Sequence, residues 1–211
     1  MKILQKIRLF FLFAIGMVVL NISAFAQDEE DKKLYEGQFA PSFSVKDLEG
    51  KFHSIDQYKG QKILLTFYRN AGDPVSYFRF NELEEQKDYF FKKGIVLLSF
   101  FESSPENVLT FKDTHQFYQV VIADPKGILY NLYGVEENRA KMARGTVHAA
   151  AAKAKKGKKL YPNKIVQDGK PNRISAEILI DENGNIATAY YGQYLGDNMP
   201  IEALKAAIEK P

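Results

Sequence analysis

The sequence predicts an α/β fold in which helices cover both faces of a mixed sheet. Three observations carry this expectation. Residues 62–68 (KILLTFY) and 95–101 (IVLLSFF) are apolar on both faces, the pattern of parallel strands buried on either side. A stretch of helical spacing follows each of them, which supplies the crossover that a parallel pair requires. Near the end, residues 176–181 and 186–191 flank Glu182-Asn183-Gly184-Asn185, and Asn-Gly between two apolar runs is a strong hairpin signal.

Each element follows in order. Residues 27–36 are polar and read as a linker. Residues 43–47 alternate, and residues 52–54 return across the turn Leu48-Glu49-Gly50-Lys51, giving a small hairpin. Residues 54–60 form a short helical turn that Gly60 ends. After the first central strand, residues 76–93 read as one amphipathic helix, with Tyr77, Phe78, Leu83, Tyr89 and Phe90 at helical spacing and Gly94 beyond its end. After the second strand, Ser103 or Ser104 can cap a helix over 105–117, with Pro105 in its first turn. Residues 119–123 make a third strand, and 128–133 a short helix stopped by Gly134. Residues 136–159 are rich in Ala and Lys and read as helical around Gly145, with a break at Gly157. Residues 160–172, with two prolines, read as a loop. A closing helix over 201–209 places Ile201, Leu204, Ala207 and Ile208 on one face. The whole order matches a thioredoxin-like sandwich: an N-terminal hairpin, a central mixed sheet, and a helical insertion over 136–172 before the last hairpin.

The first 26 residues stand apart. Lys2, Lys6 and Arg8 precede an apolar run over 9–20, and Ala24-Phe25-Ala26 is a small-x-small site before Gln27. This is the pattern of a cleaved secretory signal peptide, so the expected location is secreted or periplasmic. Cleavage at Gln27 without a cysteine there excludes a lipoprotein. It would leave no stable membrane insertion. Removing those three basic residues from the 29 Lys and Arg leaves 26, equal to the 26 Asp and Glu. Net charge therefore gives no case for nucleic acid or membrane binding. Charge is nonetheless uneven: residues 28–31 are acidic, and residues 139–164 hold nine Lys or Arg and no carboxylate. That segment is either a solvated basic surface or a contact for an anionic polymer or acidic partner.

The chain contains no cysteine. It can form neither a disulfide nor a catalytic thiolate of its own. Its three histidines, His53, His115 and His148, lack paired metal-ligand spacing, and nothing marks a metal or cofactor site.

The stretch 67–79, FYRNAGDPVSYFR, joins a strand end through a polar turn to a helix start, where unpaired N–H groups and the helix dipole favour negative charge. Here the chain resembles the AhpC/TSA peroxiredoxins, in particular their peroxiredoxin-like branch. The resemblance covers about 37–208. It rests on GQFAPSF at 37–43, GQK before ILLTFYR at 60–69, Phe111, IADP at 122–125, YNLYGV at 130–135, ILIDENGNI at 178–186 and GDNMP at 196–200. It implies a thioredoxin fold and, in working relatives, thiol peroxidase chemistry on a C-P-x-C turn after FYR. In this chain those cysteine positions hold Asp73 and Ser76, with Arg69 and Arg79 close by. A carboxylate cannot pass through a sulfenic acid, and a serine cannot resolve one. Where thioredoxins carry a cis-proline, this chain has Ser175, and Arg173 lies two residues earlier.

These residues argue against an enzyme of the family's class. Asp73 suits an N-cap for Val75 and Ser76, and Arg69 or Arg79 can pair with it. The expected function is binding or a structural role in the cell envelope, with a protein or small-molecule partner; a homo-oligomer is compatible with this. Two alternatives stand beside it: family-type antioxidant or thiol-disulfide activity, including redox participation through a partner's thiols, and hydrolysis using Asp73 with His53 or His115. The aromatics are expected mainly in the core. Tyr190, Tyr191 and Tyr194 pack at a strand edge or line a groove.

Overall fold

The computed structural model describes residues 32–112, 117–147, 150–162 and 164–210. The expected signal peptide, the acidic residues 28–31, His115 and His148 lie outside the described residues. The packed unit runs over Leu34–Pro211. Packing thus begins within the stretch read as a linker: Leu34 is buried, and its N–H donates to the Tyr191 hydroxyl at 2.9 Å.

A two-stranded antiparallel sheet comprises β1 (Ser44–Lys46) and β2 (Phe52–Ser54). A 3-10 turn over Asp56–Tyr58 follows it. The main sheet holds β3 (Ile63–Tyr68), β4 (Val96–Phe101), β5 (Val120–Ala123), β6 (Ala176–Ile180) and β7 (Ile186–Tyr191) in the order β5-β4-β3-β6-β7. β3 pairs β4 in parallel, and β4 pairs β5 likewise, while β6 and β7 join antiparallel. The helices are α1 (Pro74–Glu84), α2 (Lys87–Lys93), α3 (Pro105–Lys112), α4 (Ile128–Leu132), α5 (Arg139–Val147), α6 (Ala150–Leu160) and α7 (Ile201–Ile208).

Strand alternation sends Ile63, Leu65 and Phe67 to one face of the sheet, where they meet Phe43, Leu129, Tyr130 and Tyr133. On the other face, Leu64 packs with Leu83, Phe90, Leu204 and Ile208, and Tyr68 with Tyr77, Phe80 and Phe111. Both faces of β3 are therefore covered, and its C-terminal end, Tyr68, delivers the chain directly into the turn before α1.

Two elements differ from the sequence reading. The single helix over 76–93 is two helices. Gln86 leaves the helical basin (φ −95°, ψ 8°), and its N–H donates to the Leu83 carbonyl three residues back rather than four. The step turns α2 so that Phe90 is fully buried while Phe91 faces solvent. Every residue there tolerates helix, so local preference could not place the break; packing against the sheet does. Second, Gly157 does not break a helix but lies within α6. A Cβ at that position would come within 1.8 Å of the Pro74 carbonyl oxygen. Its role is close approach, which glycine alone permits.

Candidate functional site

The turn from Arg69 to Asp73 is fixed by its own polar groups. The Asn70 side-chain oxygen accepts from the Gly72 N–H at 3.0 Å. The Ser103 hydroxyl accepts from the Ala71 N–H at 2.8 Å, and the Tyr77 hydroxyl donates to the Ala71 carbonyl. Burial and the nearby Asp73 carboxylate push that phenol well above its ordinary range, so it stays a donor.

Asp73 ends the turn and caps α1. Pro74 follows at the first helical position, where its missing N–H costs nothing. The carboxylate accepts from the N–H groups of Val75 and Ser76, both at 3.3 Å, and from the Ser76 hydroxyl at 2.8 Å. Arg69 Nη2 donates to it at 2.8 Å. With Asp73 only 2% exposed, its two oxygens hold four donors, about the full acceptor capacity of a carboxylate. The N-cap expected from sequence is present, and of the two candidate arginines Arg69 is the partner.

Arg79 takes another role. It donates to both oxygens of Glu177 on β6, at 2.6 and 2.9 Å, and to the Met199 carbonyl at 2.8 Å. Burial works against its charge, but Glu177 outweighs burial and raises its pKa. Arg173 donates twice to Glu102, at 3.0 and 2.8 Å, and to the Val135 carbonyl at 2.6 Å. Sequence reasoning missed both carboxylate partners. Glu102 and Glu177 each lie at or within a buried strand, and an acid in such an apolar run is the signal that could have found them. The Ser175 hydroxyl donates to the Asp197 carbonyl at 3.2 Å.

The insertion covers this turn. α6 lies against the start of α1, with Gly157 on Pro74, and Lys153 and Lys156 lie over the Phe78 ring. The following loop closes from the other side. A Cβ on Gly72 would meet the Ile165 carbonyl at 2.8 Å, and the Gln167 amide donates to the Gly72 carbonyl at 3.2 Å. Asp168 fastens the loop: its carboxylate accepts from Ser103 Oγ at 2.5 Å, the Ser104 N–H at 2.8 Å and Asn107 Nδ2 at 2.9 Å. Burial raises the Asp168 carboxyl, but those hydrogen bonds outweigh it and hold it below its ordinary value. What remains beside Asp73, Arg69, Ser76 and Arg173 is a cavity of ≈ 10 Å³, on the scale of one water molecule. Arg69 Nε is the one buried polar side-chain atom of this cluster without a hydrogen-bond partner.

The other candidates lie apart from this constellation. His53 is engaged by the Asp47 carboxylate at 2.7 Å and by the Tyr58 hydroxyl, which ties the hairpin to the 3-10 turn. Tyr190 donates to Asp197 and Tyr191 to the Tyr133 carbonyl, which are packing roles. A larger cavity, ≈ 200 Å³, opens at the opposite end of the strands between Phe39, Tyr58, Ile63 and Ile180. Asp56, Lys59, Asp181 and Glu182 are among its lining residues. Among the described residues no group of three or more His, Asp or Glu is placed to hold a metal ion, and no helix is long and apolar enough to cross a membrane.

A strand, polar turn and capped helix on this five-stranded sheet define the class of thioredoxin-like α/β proteins. The chain belongs to the AhpC/TSA family, whose model matches residues 37–189. Among relatives, the thioredoxin-like protein YneN of Bacillus subtilis (strain 168) is 35% identical over 97 residues, 45% of this chain and 57% of that protein. The match therefore spans little more than half of that relative. Peroxiredoxin Bcp of Escherichia coli (strain K12) is 24% identical over 111 residues, 53% of this chain and 71% of that protein. Solved structures share the fold: peroxidoxin BcpB from Mycobacterium tuberculosis has a TM-score of 0.59 at 12% identity, covering 83% of this chain and 94% of its own. The reduced 2-Cys peroxiredoxin of Plasmodium vivax has a TM-score of 0.60 at 18% identity, covering 83% and 80%.

Proposed function

We propose that this chain is a catalytically degenerate AhpC/TSA protein that acts by binding in the cell envelope. The observation that carries the reading is Asp73. At the turn where the family resemblance places the reactive thiol, a carboxylate is saturated by Arg69, Ser76 and two backbone donors. It has no oxidised state to pass through, and the cavity beside it has room for about one water. The chain without cysteine offers no second thiol. The envelope location rests on the N-terminal signal pattern.

The test has two arms. Wild-type protein with hydrogen peroxide and a dithiol reductant is expected to give no turnover above buffer; sustained turnover would overturn the reading. In the double variant Asp73→Cys, Ser76→Cys the covering loop is expected to keep peroxide turnover absent and thiol labelling slow. Family-like turnover there would show a site merely disarmed, with its pocket intact.

A further inference from the structure

Two cavities lie at opposite ends of the central strands, and their linings differ. Beside Asp73 the carboxylate is saturated and the space is ≈ 10 Å³. At the other end the space is ≈ 200 Å³. Pockets for drug-sized ligands begin at about 300 Å³, so this one suits a smaller molecule.

The frame of the larger cavity is held by backbone. Ile63, first in β3, and Ile180, last in β6, pair across the sheet and are buried. With Ile55 they give the cavity an apolar lining. The Gly60 N–H donates to the Glu182 carbonyl at 3.1 Å, and the Ala40 N–H to the Gly184 carbonyl at 2.9 Å. The segment after the 3-10 turn and the segment before β1 are thus both tied to the β6–β7 hairpin. Phe39, also in the lining, is 75% exposed.

Four charged residues line the space, and two of them are engaged. Asp181 Oδ1 accepts from the Asn183 and Asn185 N–H groups at 2.9 and 2.8 Å, which closes the hairpin turn. Glu182 lies 3.8 Å from Lys62 Nζ. Asp56 and Lys59 remain: among the described residues no hydrogen bond or ion pair engages either charge. Exposed lysines without a partner occur elsewhere, Lys87 and Lys92 among them. What sets Lys59 apart is an opposite charge on the same cavity. The Lys59 N–H donates to the Asp56 carbonyl at 3.4 Å, so the two residues stand one 3-10 turn apart. At that spacing side chains eclipse, about 6 Å apart along the axis. Both line the cavity, and they do not pair with each other.

We propose that this cavity binds a small zwitterion, an α-amino acid with an apolar side chain. This rests on the binding role given above and names a site and ligand class for it. The ammonium meets Asp56 and the carboxylate meets Lys59, each a charge-assisted contact. The side chain is buried against Ile55, Ile63 and Ile180, and covers Phe39. An anion alone would face three carboxylates, Asp56, Asp181 and Glu182, and a cation alone would face the Lys59 ammonium; like charges so placed oppose binding.

The experiment is titration calorimetry of the full chain with L-leucine, with isopentylamine, which lacks the carboxylate, and with isocaproate, which lacks the ammonium. Leucine is expected to bind, and each analogue to bind about tenfold or more weakly, since each forfeits one charge-assisted contact. Asp56→Asn is expected to weaken leucine and the amine but not isocaproate. Lys59→Met is expected to weaken leucine and isocaproate but not the amine. Asp88→Asn with Lys92→Met removes the same two charges from exposed sites on α2 and is expected to bind as wild type. Amide shifts on adding leucine are expected at Gly60, Gln61 and Gly184. No leucine binding, either analogue binding as tightly as leucine, or equal loss in the α2 variant would overturn the proposal. No leucine binding together with no peroxide turnover removes this site and leaves the non-catalytic reading standing. Leucine binding together with turnover does the reverse.

Discussion

The insertion over 136–172 has two sides, and they treat polar groups in opposite ways. On the inner side, toward the turn, nearly every donor and acceptor is engaged. Asp73 holds four donors, Asp168 three, and Gln167 reaches the Gly72 carbonyl. On the outer side, Lys155, Lys158 and Lys159 of α6 are exposed and engage no partner among the described residues. A buried polar group left unpaired is costly, so the inner side must close on itself. An exposed ammonium is well solvated, so the outer side can stay uncovered. Within one helix, the same chain supplies a seal and a free charged surface.

The largest expected effect tests how closed the inner side is. Among the described residues Arg79 is the one guanidinium on Glu177, which is 1% exposed. Arg79→Met would leave that carboxylate buried without its partner. The expected loss is about 3–5 kcal/mol of folding stability by urea unfolding, the usual result of breaking a buried pair. A loss below about 1 kcal/mol, the scale of a solvated surface pair, would mean that water reaches Glu177 and the inner side is open.

A smaller effect tests the seal itself. In an exposed helix Gly→Ala stabilises by up to ~1 kcal/mol. At Gly157 the added methyl would meet the Pro74 carbonyl at 1.8 Å, so α6 must shift. Gly157→Ala is expected to destabilise by about 1–3 kcal/mol, as overpacking does. It should also speed hydrogen exchange at the Ala71 and Ser76 amides. The sign decides: a stabilised variant would separate α6 from the start of α1 and leave the turn uncovered.

The two sides also differ in how far the sequence reveals them. The strands were legible because residues 63–68 and 96–101 are apolar on both faces. The turn was legible because Asp73, Pro74 and Ser76 form a helix-start pattern. The charge of 139–164 could be counted directly. The seal could not be seen. Gly157 reads locally as a helix breaker, and only the Pro74 carbonyl opposite it explains its presence. Asp168 reads as one polar loop residue among several; its partners Ser103, Ser104 and Asn107 lie more than 60 residues earlier. The Gln86 break is of the same kind, since a helix-compatible sequence yields there to Phe90 seeking the core.

The smallest effect is the most specific to the fastening. Asp168 is ionised in the folded protein, with its pKa held below the ordinary value. A carboxyl lowered on folding contributes stability above its unfolded value, near 3.9, and that contribution fades as pH falls through the lower folded value. Asp168→Asn keeps the shape but loses the charge and one acceptor, leaving Ser103 or Ser104 less well paired. At neutral pH the expected loss is about 1 kcal/mol, the net value of a hydrogen bond. The difference between wild type and variant should hold steady down to pH ~5 and shrink below the unfolded value of ~3.9. Urea unfolding across that range measures it, and exchange at the Ser104 amide reports the loop directly. A difference that stayed constant into strong acid would assign the effect to packing of the side chain and remove the carboxylate as the fastening. The expected shrinkage would make the cover over the turn loosen with acid, while the lysines on its outer side, protonated throughout, kept their charge.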